Sequence, residues 1–320
     1  STLIPWGLKT GNLTLKPNSV VHSILYDEDQ KKAIGVRVID SNSKVSQDYF
    51  AKVVFVSAST LNTNLILLNS KSKRFPNGLG NDNGLLGKFI AFHNYRATIN
   101  AEFEGFPQYT TEGAKPTSHY IPRFRNVYRQ ETDFLRGYAA GFGAQPNRET
   151  NKEGFGAELS NQLLSTKETG VWNVNSHMMG ETIPKESNLV SLDQEKTDAW
   201  GIPLLNIDVD YDGNDEKMIQ DFYEQFSEMY EKSGFVNIKI NDNGRRPGND
   251  IHEMGGVRMG KNPKTSLLNA WNQMHECKNV FVTDGACMTS TSTQNPSLTF
   301  MAITARAANY AIRQMKKGLI

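Results

Sequence analysis

Two segments hold the residue types best suited to chemistry in this 320-residue chain: His252-Glu253-Met254-Gly255-Gly256-Val257-Arg258-Met259-Gly260 and Thr293-Gln294-Asn295-Pro296-Ser297-Leu298-Thr299. Imidazole titrates near neutrality, so His252 can take a hydroxyl proton without large tuning. The paired glycines after it remove side-chain bulk, so a flat ligand or another stretch of backbone can come close. Asn295-Pro296 suits a helix start, with Asn as N-cap and Pro at the first helical position. A helix over 296–313 would present free amide groups and positive dipole to an electron-rich ring. The Asn295 amide could then hold a substrate hydroxyl beside the histidine. Each feature also has a plain structural reading: a core histidine, an ordinary helix cap.

These residues need elements to position them. Val280-Phe281-Val282 is a short apolar strand that ends at Asp284-Gly285. In open α/β sheets ligands collect at the carboxyl ends of strands, where this pair lies, although a simple turn would use the same residues. Val53 to Val56 is continuously apolar, which suits a strand buried on both faces. It breaks at Ser57-Ala58-Ser59-Thr60, and a helix follows with Leu61, Leu65, Ile66 and Leu68 on its apolar side; Ser59 or Thr60 could cap it. The final helix carries Leu298, Phe300, Met301, Ile303, Ala305, Ala308 and Ile312 at core spacing.

Elsewhere the chain reads as strands divided by polar turns. Near the start these are Asn12 to Leu15, Ser19 to Tyr26, Ala33 to Ile39 and Lys52 to Val56, with Asp27-Glu28-Asp29-Gln30 as one turn. Later strands are predicted at 171–177, 188–193, 203–211 and 236–240, and Gly137 to Gly143 reads as glycine-rich turns. Met218, Ile219, Phe222, Phe226, Met229 and Tyr230 recur at helical spacing, which predicts an amphipathic helix over about 215–232. The middle of the chain therefore looks like a largely antiparallel sheet with helical cover.

Composition removes several function classes. A net charge of +1 gives no electrostatic footprint for nucleic acid or an acidic membrane, and no apolar run reaches the roughly 18 residues of a bilayer span. Lys71-Ser72-Lys73-Arg74 reads as a solvated loop. Cys277 and Cys287 are read as reduced thiols, and no Cys or His pair has metal-ligand spacing. No nucleophile elbow, P-loop or HExxH motif is present, and no Gly-x-Gly-x-x-Gly follows an early strand. The compartment, cytoplasmic or periplasmic, stays open.

Four stretches together resemble the glucose–methanol–choline (GMC) family of FAD-dependent oxidoreductases, in the branch of pyranose oxidase and the gluconate and glucoside dehydrogenases. They are Val53 to Ser70, Gly78 to His93, His252 to Gly260 and Asn279 to Arg306. The resemblance implies a mixed α/β fold: a partial Rossmann-like FAD domain built from discontinuous segments, with an inserted antiparallel substrate domain. The expected division is 1–95 for the middle of the FAD domain, 96–248 for the substrate domain and 249–320 for the return to the FAD domain. It implies oxidation of a CH–OH group of a sugar or polyol, with His252 as base, Asn295 as second catalytic residue and hydride transfer to flavin N5. Asp284, Gly285 and Pro296 fall on flavin-contacting positions, and Val21 (or Val20), Ser57 and Ala58 on the adenosine side. An electron-accepting subunit such as a cytochrome is a possible partner. The family begins with a dinucleotide fingerprint, so the resemblance implies that Ser1 lies inside a longer protein and that this chain is its C-terminal portion. A non-redox carbohydrate-binding module of the same fold is the alternative. A nicotinamide-dependent dehydrogenase lacks its fingerprint here.

Overall fold

The structure, a computed structural model, describes residues 3–106, 119–146, 153–165, 170–249 and 251–320. Helix α1 (Leu3–Lys9) precedes an antiparallel meander of β1 (Ser19–Asp27), β2 (Lys32–Asp40) and β3 (Ser46–Phe50). The Asp27 carboxylate accepts the backbone N–H groups of Asp29 and Gln30 and so forms the expected turn. The strand predicted at Asn12 to Leu15 does not form. That stretch is exposed throughout, so it has no buried face to repay its ordering. Strand β3, polar in sequence, was not anticipated; its pairing with β2 carries an Arg37–Asp48 ion pair at 2.9 Å.

Strand β4 (Val54–Val56) leads into α2 (Thr60–Asn69), and β15 (Val280–Val282) lies parallel to β4 with Val54 opposite Val280. Asn279 fastens this pair to the meander. Its amide donates to the carbonyls of Ala33 and Lys52, and its Oδ1 accepts the Ala33 N–H. Val54, Val56, Val280 and Val282 enter a common core with Leu67, Phe75 and Leu79. The strand expected to be buried on both faces is buried on one: Phe55 is 38% exposed and stacks on the buried Phe281 ring at 4.9 Å. Helix α2 buries Ile66 and Leu67 together with Thr60, Thr63 and Asn64. Ser59 holds its N-cap position at φ 71° and makes no side-chain cap.

Between these strands lie two antiparallel sheets and their helical cover. The elements are β5 (Lys88–Ala91), β6 (His93–Asn94), β7 (Ala97–Phe103), β8 (His119–Ile121), β9 (Tyr138–Pro146), α3 (Gly156–Ser165), β10 (Trp172–Glu181), β11 (Leu189–Thr197), β12 (Pro203–Asp208), α4 (Gly213–Lys232), β13 (Val236–Asp242) and β14 (Met254–Gly256). One sheet runs β13-β7-β10-β9-β8, with β6 also paired to β10; the other runs β12-β11-β5-β14. The glycines of Gly137 to Gly143 belong mostly to β9, not to turns. Their smallness is used for packing: a Cβ on Gly141 would lie 2.2 Å from the His177 ring.

Helix α4 carries the predicted apolar face. Met218, Ile219, Phe222, Phe226 and Tyr230 are buried against Ile99, Ala101, Val174 and Met178 of the sheet. A capping box of Asp212 and Asp215 starts it.

Helix α5 (Ser297–Lys316) departs from expectation in two ways. Pro296 sits at the capping position in helical conformation with no side-chain cap, so Asn295 is not the N-cap. The helix buries Ala307 and Ala311 against Phe281, whereas Leu298, Met301 and Ile312 stand exposed. Both cysteines are free and buried, and burial pushes the Cys277 thiol up to about 11.

Two outcomes follow from α4. Phe222→Ala is expected to cost about 3–5 kcal/mol in denaturant unfolding, because it opens a cavity in a fully buried aromatic layer. Burial pushes the Asp215 carboxyl up to about 7. A carboxyl with a folded pKa above its unfolded one costs stability once ionised. This contribution therefore declines as pH rises from the ordinary carboxylate range through about 7. Asp215→Asn should flatten that part of the dependence, read as unfolding midpoints at about pH 4 and about pH 8.

Candidate functional site

The first turn of α2 collects the functional segments. Thr60 Oγ1 donates to the Glu253 carbonyl, Asn64 Nδ2 donates to the Gly255 carbonyl at 3.2 Å, and Thr63 Oγ1 donates to Asp284 Oδ2 at 2.5 Å. Small polar residues can do this because they fit under a strand and still reach backbone. The segment after His252 is then tied to the segment after Asp284 by backbone bonds from Val257 to Ala286 and from Met259 to Cys287. Gly255-Gly256 does permit a close approach, and the approaching groups are protein. A Cβ on Gly255 would meet the Phe89 carbonyl at 2.1 Å, and one on Gly256 would meet Asn64 Oδ1 at 2.2 Å.

His252 itself stands at φ 71°, a left-handed conformation that costs energy for a residue with a Cβ. Its ring is half-buried, burial holds its pKa below the ordinary histidine value, and Nδ1 has no hydrogen-bond partner among the described residues. The ring of His93, on β6, meets it edge to face with centroids 5.0 Å apart. His93 is 1% exposed, and burial pushes its pKa down to about 4, so it is neutral at ordinary pH.

Asn295 lies on an exposed stretch of the 290–296 loop, between the buried Thr293 and the buried Pro296. Two contacts fasten this loop to the sheet. Ser290 Oγ donates to the Glu181 carboxylate at the end of β10, and Gln294 Nε2 donates to the Tyr120 hydroxyl at 3.1 Å. Glu181 is buried and also faces Arg123 at 3.4 Å and Arg136 at 3.7 Å.

The sequence-predicted residues are therefore partly gathered. Ser57, Ala58, Asp284 and Gly285 share the carboxyl ends of β4 and β15, joined by Ser57 Oγ to Thr283 Oγ1 at 2.9 Å and by the Ala58 N–H to Thr63 Oγ1. Asp284 is an N-cap, accepting the Ala286 N–H, and burial raises its carboxyl above the usual range. Gly285 is needed because a Cβ would lie 2.3 Å from Thr60 Oγ1. Asn295 and Pro296 sit at the mouth of α5. Val21 stands apart on β1, half-buried against the core. Sequence reading gave no role to His93, Glu181, Thr63 or Asn64. The only available signal was a histidine closing the apolar run Phe89-Ile90-Ala91-Phe92. No metal-binding group and no helix long and apolar enough to cross a membrane occur among the described residues.

Residues 184–304 match the family model for GMC oxidoreductase. The chain is 32% identical over 302 residues to 2-methyl-1,2-propanediol dehydrogenase of Mycolicibacterium austroafricanum, covering 88% of this chain and 52% of that protein. It is 26% identical to the fructose dehydrogenase large subunit of Gluconobacter japonicus, covering 94% and 54%. It is also 25% identical to paromamine 6'-oxidase of Streptomyces fradiae, covering 93% and 52%. The chain thus spans about half the length of the curated relatives it matches. In fold it is similar to a formate oxidase of Aspergillus oryzae, with a TM-score of 0.65 at 12% identity, covering 97% of this chain and 62% of that one. An FAD-dependent oxidoreductase of Chaetomium thermophilum gives a TM-score of 0.56 at 13% identity, covering 98% and 64%.

Gly256→Ala tests the α2 junction. A methyl at φ 88° would push the Asn64 amide off the Gly255 carbonyl. The expected cost is more than about 1 kcal/mol by denaturant unfolding.

Proposed function

From a chain that carries the C-terminal domain of the GMC oxidoreductases, we propose the substrate-facing half of an FAD-dependent enzyme that oxidises a CH–OH group of a sugar or polyol. The observation that carries this reading is the His252 ring: half-buried, in edge-to-face contact with the buried His93 ring, and held by burial below the ordinary histidine pKa. His252 accepts the hydroxyl proton of the substrate, and Asn295, exposed at the mouth of α5, orients that hydroxyl. The division proposed is 1–95 and 249–320 for the FAD side and 96–248 for the substrate side.

The residues present fit the cofactor. Helix α5 starts without a side-chain cap, and Ser297, Leu298 and Thr299 are exposed there, so its first amides would be available to donate to an anionic oxygen. Thr293 Oγ1, buried beside that start, has no hydrogen-bond partner among the described residues. Pro296 and Asn295 would border the ring, and Asp284 and Gly285, with Ser57 and Ala58 at the paired strand ends, would face the remainder of the molecule. Val21 would stand further out on the adenosine side. Bound FAD would supply the hydride acceptor at its N5. One relative's name, a large subunit, supports assembly with an electron-accepting subunit such as a cytochrome.

The test is made on a protein that includes this chain and binds FAD. His252→Ala should lower turnover of a sugar or polyol by about 10²- to 10⁴-fold while flavin absorbance persists; unchanged turnover would overturn the assignment. Because burial lowers the His252 pKa, the base form prevails above it. The rate should accordingly rise with pH along a limb whose midpoint lies below the ordinary histidine value.

A further inference from the structure

His93 lies buried beside the proposed base. It is 1% exposed, and neither ring nitrogen has a hydrogen-bond partner among the described residues. Backbone of Gly180, Ser292 and Gln294 surrounds the ring without meeting hydrogen-bond geometry. Leaving buried polar atoms unpaired costs on the order of 1–3 kcal/mol, and phenylalanine would fill the same space without that cost. A price of this kind is characteristic of functional sites.

The neighbours show what the nitrogens serve. His252 Nδ1 is also buried and has no partner among the described residues, and the two rings are nearly perpendicular, at 82°, with centroids 5.0 Å apart. That separation places ring edges within reach of an N–H···N contact after a small rotation. Strand pairing sets His93 opposite Glu181, whose carboxylate holds Ser290 on the loop that carries Asn295. His93 therefore touches the proposed base on one side and lies against the backbone of the Asn295 loop on the other.

We propose that His93 is the positioning residue of this site: its neutral ring accepts the Nδ1 proton of His252, which fixes the tautomer and leaves Nε2 as the base. The inference rests on the assignment of His252 above. In catalysis the substrate hydroxyl proton moves to Nε2, and the hydrogen bond from Nδ1 to His93 strengthens as the imidazolium forms. A protonated His93 could not accept that bond, and its burial keeps it neutral. The charged and titratable groups around the pair are consistent with this. Tyr95 packs on His93 and stacks on His177, the Glu181 carboxylate is paired with Arg123, and the Asp284 carboxyl is engaged by Thr63. Glu253 follows His252 in the chain, and its carbonyl is taken by Thr60.

The decisive variants are His93→Phe, which keeps the volume and removes the nitrogens, and His93→Gln, which restores an acceptor. In the chain without flavin, ¹⁵N NMR of the imidazoles should show His252 as one tautomer, with the proton on Nδ1. His93→Phe should give a mixture and a lower His252 titration midpoint; His93→Gln should restore both in part. In the FAD-loaded protein, His93→Phe should lower kcat about tenfold or more, leave KM within about twofold, and leave thermal stability equal or raised. A purely structural role predicts the reverse: lost stability with the His252 tautomer and kcat unchanged, and that result would overturn the proposal. The NMR result stands without turnover, so it separates failure here from failure of the base assignment, which His252→Ala decides.

Discussion

Everything at the site depends on the hydroxyl and amide hydrogen bonds made by one helical turn. Thr60, Thr63 and Asn64 of α2 reach the Glu253 carbonyl, the Asp284 carboxyl and the Gly255 carbonyl. They add to the parallel β4–β15 pairing and to the backbone bonds from Val257 to Ala286 and from Met259 to Cys287. With them, the turn that bears His252 and the end of β15 form a single surface. The glycines at 256 and 285 are the other half of the same constraint, since a methyl there would meet Asn64 or Thr60, while Gly255 admits the Phe89 carbonyl.

That constraint explains the strain at His252. At a φ of 71° its imidazole meets the His93 ring edge to face. The Thr60 and Asn64 bonds to the Glu253 and Gly255 carbonyls hold the backbone that follows, so the unfavourable conformation persists. The exposed apolar side of α5 belongs with this arrangement. Its start is kept open beside Asn295; Ala307 and Ala311 are its buried residues, with Ile303 and Tyr310 packed partly against the core.

Much of the fold was legible because periodicity reports one buried face at a time. The α4 stripe, the paired valine strands and the antiparallel middle all follow from it. Two kinds of feature were not. Local polarity hid β3, whose hydrogen-bonding partner is β2 and not anything in its own composition. Glycine content hid β9, where the residues are small to admit the His177 ring. The proposed base, the Asp284-Gly285 end and the α5 mouth were read from residue type and spacing. His93 and Glu181 were not, because their importance lies in which backbone they oppose across strands β6 and β10, a relation that sequence distance does not express.

The parallel pairing of β4 with β15 has a consequence in time. Thr63 and Asp284, which that pairing sets together, are 221 residues apart in the chain. Closing so long a segment is slow compared with forming a hairpin or a helix. The β1–β2–β3 meander and the α4-covered sheet can therefore order themselves first, on local pairings. Asp284 must therefore be in place before the segment that follows His252 acquires its partner at the end of β15.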